Sequence, residues 1–74
     1  DKHKNEVDVV IQGNPIEVKY RNNIAKDDLK GILKFLEIFK LKNGKVITKD
    51  IFKKETLEGK NILFAPAWLF SLQE

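Results

Sequence analysis

The chain has 74 residues, with fourteen basic and eleven acidic side chains for a net charge of +3, and it contains no cysteine. Its length allows one domain, residues 1–74, and the missing thiols exclude disulfides and thiolate metal sites. No apolar run approaches the roughly 20 residues that span a bilayer and no signal peptide is expected, so the expectation is a cytoplasmic protein without a membrane partner.

Residues 7–12 are rich in Val and Ile, and residues 15–21 alternate Ile16, Val18 and Tyr20 against Glu17, Lys19 and Arg21. Gly13-Asn14 between them is a two-residue hairpin signal with Gly at the first central position. A bend there sets Gln12 opposite Pro15, Val10 opposite Glu17 and Asp8 opposite Lys19, with Asp8 diagonal to Glu17 on one face. Val7, Val9, Ile11, Ile16, Val18 and Tyr20 form the other face, which is apolar and predicted to pack on a helix. His3, the lone histidine, stands in the polar opening segment.

The helix is predicted over residues 26–40, where Leu29, Ile32, Leu33, Leu36 and Phe39 recur at amphipathic spacing. Ala25 is a poor N-cap, with Asn23 the alternative, whereas Asp27 and Asp28 suit the positive helix end. Asn43-Gly44 is the predicted stop and Lys45–Lys49 the next strand. Strand, helix and strand in that order predict a right-handed crossover with Lys45–Lys49 parallel to Ile16–Arg21. Residues 50–60 read as a polar, turn-rich segment broken at Glu58-Gly59-Lys60-Asn61, into which Ile51, Phe52 and Leu57 pack down. Residues 61–65 form a further short strand. Pro66 starts a final helical turn whose Trp68, Leu69, Phe70 and Leu72 are expected in the core.

Lys26, Lys30 and Lys34 lie on one helical stripe, and Lys40, Lys42 and Lys45 crowd the turn after it. A solvated face is the simpler reading and phosphate contact the alternative. Asp8 and Glu17, with the carbonyl of Val18, are candidate oxygen ligands for Mg²⁺ or Mn²⁺. Lys19 beside them is the candidate catalytic cation, able to orient a water or offset charge on a phosphate. The competing reading is an ordinary Asp8–Lys19 cross-strand ion pair, contributing about 0.2–1 kcal/mol.

Glu6-Val7-Asp8, Ile16-Glu17-Val18-Lys19-Tyr20, Asp28-Leu29-Lys30-Gly31, Phe35-Leu36, Val46-Ile47-Thr48-Lys49-Asp50 and Ile62-Leu63-Phe64-Ala65-Pro66-Ala67-Trp68-Leu69-Phe70 occur in that order. Together they resemble the C-terminal domain of archaeal and bacterial P-loop (AAA+-type) ATPases, which is similar in turn to the PD-(D/E)XK restriction-endonuclease-like superfamily. The resemblance implies an α/β fold with a restriction-endonuclease-like core: a β-hairpin, a crossover helix, a parallel strand, a further strand and a short C-terminal helix. It implies metal-dependent, DNA-directed phosphodiester chemistry, with Asp8 as the metal-binding acid, Glu17 as the second acid and Lys19 as the catalytic lysine.

Candidate nucleic-acid contacts are Arg21, Lys26, Lys30 and Lys49, the last otherwise a surface lysine. The superfamily core starts with a helix and a strand that are expected to precede this segment, and Glu6 is too close to Asp8 to supply the acid they often carry. No Gly-x-x-x-x-Gly-Lys-Ser/Thr loop occurs, so ATP binding is expected in an upstream ATPase domain of the same polypeptide. The edge at residues 7–12, left unpaired, predicts dimerisation or strand exchange. The alternatives to a nuclease-like role are a non-catalytic DNA-binding, docking or oligomerisation module.

Overall fold

Two tight hairpins separated by a helix build a five-stranded mixed sheet in the computed structural model, which describes residues 8–71. His3, Glu6, Val7 and Leu72, and the side chain of Phe70, lie outside the described residues. The strands are β1 (Val9–Ile11), β2 (Asn14–Val18), β3 (Asn43–Thr48), β4 (Lys53–Leu57) and β5 (Lys60–Pro66), in the order β1-β2-β3-β5-β4. β1 and β2 are antiparallel, β2, β3 and β5 run parallel, and β4 is antiparallel to β5.

The first bend falls at Gln12-Gly13, not Gly13-Asn14: Val10 faces Pro15 and Ile11 faces Asn14. Both central residues have positive φ, 53° and 81°. That is the turn whose twist matches a hairpin, and Gly at its second position adopts the conformation without a Cβ penalty. The register is therefore two residues away from the expected one. Two is also the pleat period, so every side chain keeps its expected face. Asp8 comes level with Glu17 instead of Lys19. The same device closes the second hairpin, where Glu58 and Gly59 have φ of 52° and 77°. Here the polar-loop reading of residues 50–60 is corrected, because Lys53–Leu57 is an edge strand. Its Lys and Glu content is what a strand with one solvent-facing edge tolerates.

The helix begins as a 3-10 turn, Lys26–Leu29, and continues as α1, Lys30–Ile38. Ala25 is the N-cap. The missing cap hydroxyl is offset from the other side, since the Ala25 N–H donates to Asp28 Oδ2 at 2.8 Å. Asn23 instead accepts from Arg21 Nε through its carbonyl at 3.1 Å. The helix ends at Ile38, and the turn that closes it is at Phe39-Lys40, not Asn43-Gly44. Lys40 has φ 57°, its N–H donates to Glu37 O at 3.3 Å, and the Leu41 N–H donates to Leu36 O at 2.8 Å. This paired ending satisfies two terminal carbonyls and turns Leu41 back onto the core. Phe39, expected in the core, is 59% exposed, with its ring 4.5 Å from that of Phe35.

Leu29, Ile32 and Leu36 pack on Val46, Ile62 and Phe64. Val46 pairs with both Glu17 and Phe64, so α1 covers the sheet face that carries Glu17. The expectation that the helix covers the Val18 face is thereby reversed: Val9, Ile11 and Val18 are 43%, 53% and 45% exposed. The central strands decide the matter. They put Val46, Ile62 and Phe64 on one face, with Gly44, whose absent side chain lets Ile32 approach within 2.9 Å of where a Cβ would stand. α2 (Ala67–Ser71) follows Pro66, which ends β5. Trp68 is 55% exposed and so is not the core residue expected.

Candidate functional site

Asp8 sits at the bend just before β1, and its Oδ2 accepts the Val18 N–H at 2.7 Å. The carboxylate thus takes the place of a strand carbonyl where the β1–β2 ladder runs out. Glu17 lies in β2 beneath the helix layer, its side chain 13% exposed. Oε2 stands 3.3 Å from Lys19 Nζ, while Oε1 is buried without a hydrogen-bond partner. Burial and the neighbouring Asp8 charge push the Glu17 carboxyl above the usual glutamate range, against the opposing pull of Lys19 and the Asp8 backbone amide. The structure therefore brings Asp8, Glu17 and Lys19 together. The ammonium group, just past the end of β2, pairs with Glu17 two positions back, while the register carries Asp8 level with Glu17.

The Val18 N–H points toward Asp8, and a strand residue's N–H and C=O leave the same edge, so the Val18 carbonyl faces that side too. The donor set is hard oxygen from two carboxylates and a carbonyl, which suits an ion that keeps several waters. Among the described residues no three His, Cys, Asp or Glu gather into a metal-holding group. An orphaned carboxylate oxygen beside a second carboxylate nevertheless fits a Mg²⁺- or Mn²⁺-type ion.

The carboxyl ends of β2 and β3 are stitched together beside this cluster. Lys19 N–H donates to Ile47 O at 2.8 Å, Lys49 N–H to Arg21 O at 3.2 Å, and Asp50 N–H to Asn22 Oδ1 at 2.8 Å. Thr48, fully buried, donates to Ile51 O and accepts the Ile51 N–H, both at 2.9 Å. Asn22 and Asp50 carried no recognisable spacing in the sequence, because the crossover brings them together.

Arg21 is turned onto Asp28, with Nη2 2.6 Å from Oδ1. The Ala25 amide and this guanidinium hold the Asp28 carboxyl below the usual aspartate range. Lys49 is exposed just beyond β3. Lys26 and Lys30 line a groove of about 770 Å³ beside the second hairpin, together with Asp27, Glu37 and Glu58. The lysine stripe is therefore interleaved with acids, as on a solvated face, and Lys30 Nζ is 3.4 Å from Asp27.

These features define a small mixed α/β domain with an acid, acid and lysine cluster at the open end of its first hairpin. The chain belongs to the family described as a domain of unknown function, DUF4143, whose family model matches residues 1–69. Members of that family are typically C-terminal domains of AAA-type ATPases. No curated protein and no solved structure matches the chain. No helix among the described residues is long and apolar enough to cross a membrane.

Proposed function

We propose that this domain is a nuclease-like, DNA-directed module of the PD-(D/E)XK kind, serving an AAA-type ATPase in the same polypeptide and binding a divalent cation through Asp8 and Glu17. The observation that carries the reading is Glu17: a carboxylate sunk beside a second carboxylate, with one oxygen left without a donor. Protein interiors rarely leave such an acceptor unpaired unless it has work to do.

Asp8, Glu17 and the Val18 carbonyl would hold the ion, which when bound would neutralise a phosphate and make a water a better nucleophile. The Lys19 ammonium, already 3.3 Å from Glu17, is placed to receive a phosphate oxygen at the same spot. Of the candidate contacts, Lys26, Lys49 and, beside Asp27, Lys30 are exposed and would meet the DNA backbone, whereas Arg21 serves first to hold the helix start through Asp28.

A plasmid-nicking assay on the full-length protein with Mg²⁺ or Mn²⁺ tests the proposal. Cutting is expected to fall at least about a hundredfold in Asp8→Ala and Glu17→Ala, the scale of losing a transition-state electrostatic partner. Cutting that survives both substitutions would overturn the assignment.

A second reading is a non-catalytic DNA-binding, docking or oligomerisation module. It is favoured by the fact that Asp8 Oδ2 and Lys19 Nζ already have partners within the chain. Self-association through the β1 edge belongs to this reading. It predicts salt-dependent DNA binding with no divalent-ion dependence, or none at all.

A further inference from the structure

Ile38, the last residue of α1, is 55% exposed, and Phe39 beside it is 59% exposed. Adjacent apolar side chains left in water and rimmed by charge mark an interaction site, where isolated ones do not. The aromatic ring is held in place: its centroid lies 4.5 Å from that of half-buried Phe35, the two planes tilted by 39°.

Three lysines flank this pair along the chain. Lys34, one helical turn before Ile38, and Lys40 and Lys42 after Phe39 are exposed, and none has an ion pair among the described residues. Glu37, the one acid between them in the sequence, is committed to Lys60 at 2.8 Å. Lys40 also stands at φ 57°, a conformation that glycine adopts without a Cβ penalty. The ammonium group is thus kept where the backbone alone would favour its loss.

This cluster is remote from Asp8, Glu17 and Lys19. α1 carries the chain from the carboxyl end of β2 back to the amino end of β3, where the Lys42 carbonyl accepts the Asn61 N–H at 2.7 Å. The candidate metal cluster lies toward the opposite end of these strands, as do Asp8, where the described chain begins, and α2, where it ends.

We infer that the end of α1 is a binding site for single-stranded DNA, with a base stacked on Phe39 and phosphates on Lys34, Lys40 and Lys42. The inference rests on the DNA-directed part of the function proposed above and not on its metal. A projecting ring braced by a second ring offers a base a flat partner, and ammonium groups clear of acids draw the backbone that carries it. In a duplex the base faces are already stacked on one another, so an unpaired strand is the form that can use Phe39.

The test is fluorescence anisotropy of a labelled oligo-dT, about ten nucleotides long as suits a site of this size, titrated with the whole 74-residue chain in the presence of a chelator. The single strand is expected to bind at least about tenfold more tightly than the matching duplex, which withholds its base faces. Phe39→Leu keeps an apolar side chain and removes the ring; it is expected to weaken binding at least about fivefold, the scale of one lost base stack. Lys40→Gly relieves the positive φ, so the fold is retained, and it is expected to lower the slope of log affinity against log salt by about 0.7, one phosphate contact. Backbone amide signals of the isotopically labelled chain are expected to shift at residues 38–42.

The inference is overturned if the duplex binds as tightly as the single strand, if Phe39→Leu keeps the full affinity, or if Lys40→Gly leaves the salt slope unchanged. Shifts confined to the end carrying Asp8 and Lys19 would overturn it as well. So would binding to phosphatidylserine vesicles or to an acidic peptide without binding to the oligonucleotide, which would give the same lysines another partner. Nicking lost with this binding intact would sink the metal site alone, whereas this binding absent with nicking intact would sink the inference alone.

Discussion

Glu17 is the residue at which stability and function part company. Its carboxyl is raised first by burial and then by Asp8, so the folded chain holds the proton more tightly than the unfolded chain does. The stability gained from that proton is fully present below the ordinary glutamate value of 4.5 and is lost as the pH rises through the folded value. At neutral pH an ionised Glu17 therefore weighs against the fold. Glu17→Gln is expected to raise the melting temperature at pH 7, with the gain shrinking to nothing as the pH falls below that range. Mg²⁺ is expected to stabilise the wild type by RT ln(1 + [L]/Kd), about 2.7 kcal/mol at a hundredfold excess over Kd, and to leave Glu17→Gln unmoved. A variant less stable than wild type at pH 7 would show that the Lys19 pairing outweighs burial. The Asp8 and Glu17 pairing was legible in the sequence as an acid followed nine positions later by Glu-Val-Lys. What could not be read was which partner Lys19 would choose, because that depends on a two-residue difference in register.

Among the elements, α1 shows most plainly how local rules and packing divide the work. Its interior follows from apolar spacing, and its start from Asp28 acting in place of a conventional cap. Its end does not follow from composition, because Lys40 adopts the left-handed conformation that glycine or asparagine would normally supply. The exchange is worthwhile because it turns Leu41 onto the core and keeps Gly44 for the place where α1 comes closest to β3. Two substitutions test this. Lys40→Gly is expected to stabilise the domain by a fraction of a kcal/mol to about 1 kcal/mol, the steric relief at positive φ less the added chain entropy. Gly44→Ala is expected to destabilise it by about 1–3 kcal/mol through overpacking against Ile32 and Leu36. Equilibrium denaturation measures both; a neutral Gly44→Ala would mean that Ile32 moves aside without cost.

At the scale of the whole molecule, one long-range tie joins the helical layer to the sheet. Lys60 in β5 reaches Glu37 near the end of α1 at 2.8 Å, and this bond holds the Glu37 carboxyl below its usual range. A depressed carboxyl stabilises the fold above its unfolded value of 4.5 and ceases to do so as the pH falls through the folded value. Glu37→Gln is therefore expected to lower the melting temperature at pH 7 and to match the wild type in strong acid, a pH dependence opposite in sign to that of Glu17→Gln. An equal penalty at both pH values would assign the loss to packing. Pleat and helix periods along the chain were enough to specify the first hairpin, the helix, the parallel strand after it and the shared face of Asp8, Glu17 and Lys19. The sequence also carried the family. Tertiary structure alone decided which sheet face the helix covers, that residues 53–57 form an edge strand, and that Trp68 and Phe39 remain outside the core. Those outcomes depend on competition between faces for the same buried surface. The central strands won it with Val46, Ile62 and Phe64, while Val9, Ile11 and Val18 of the hairpin stayed exposed.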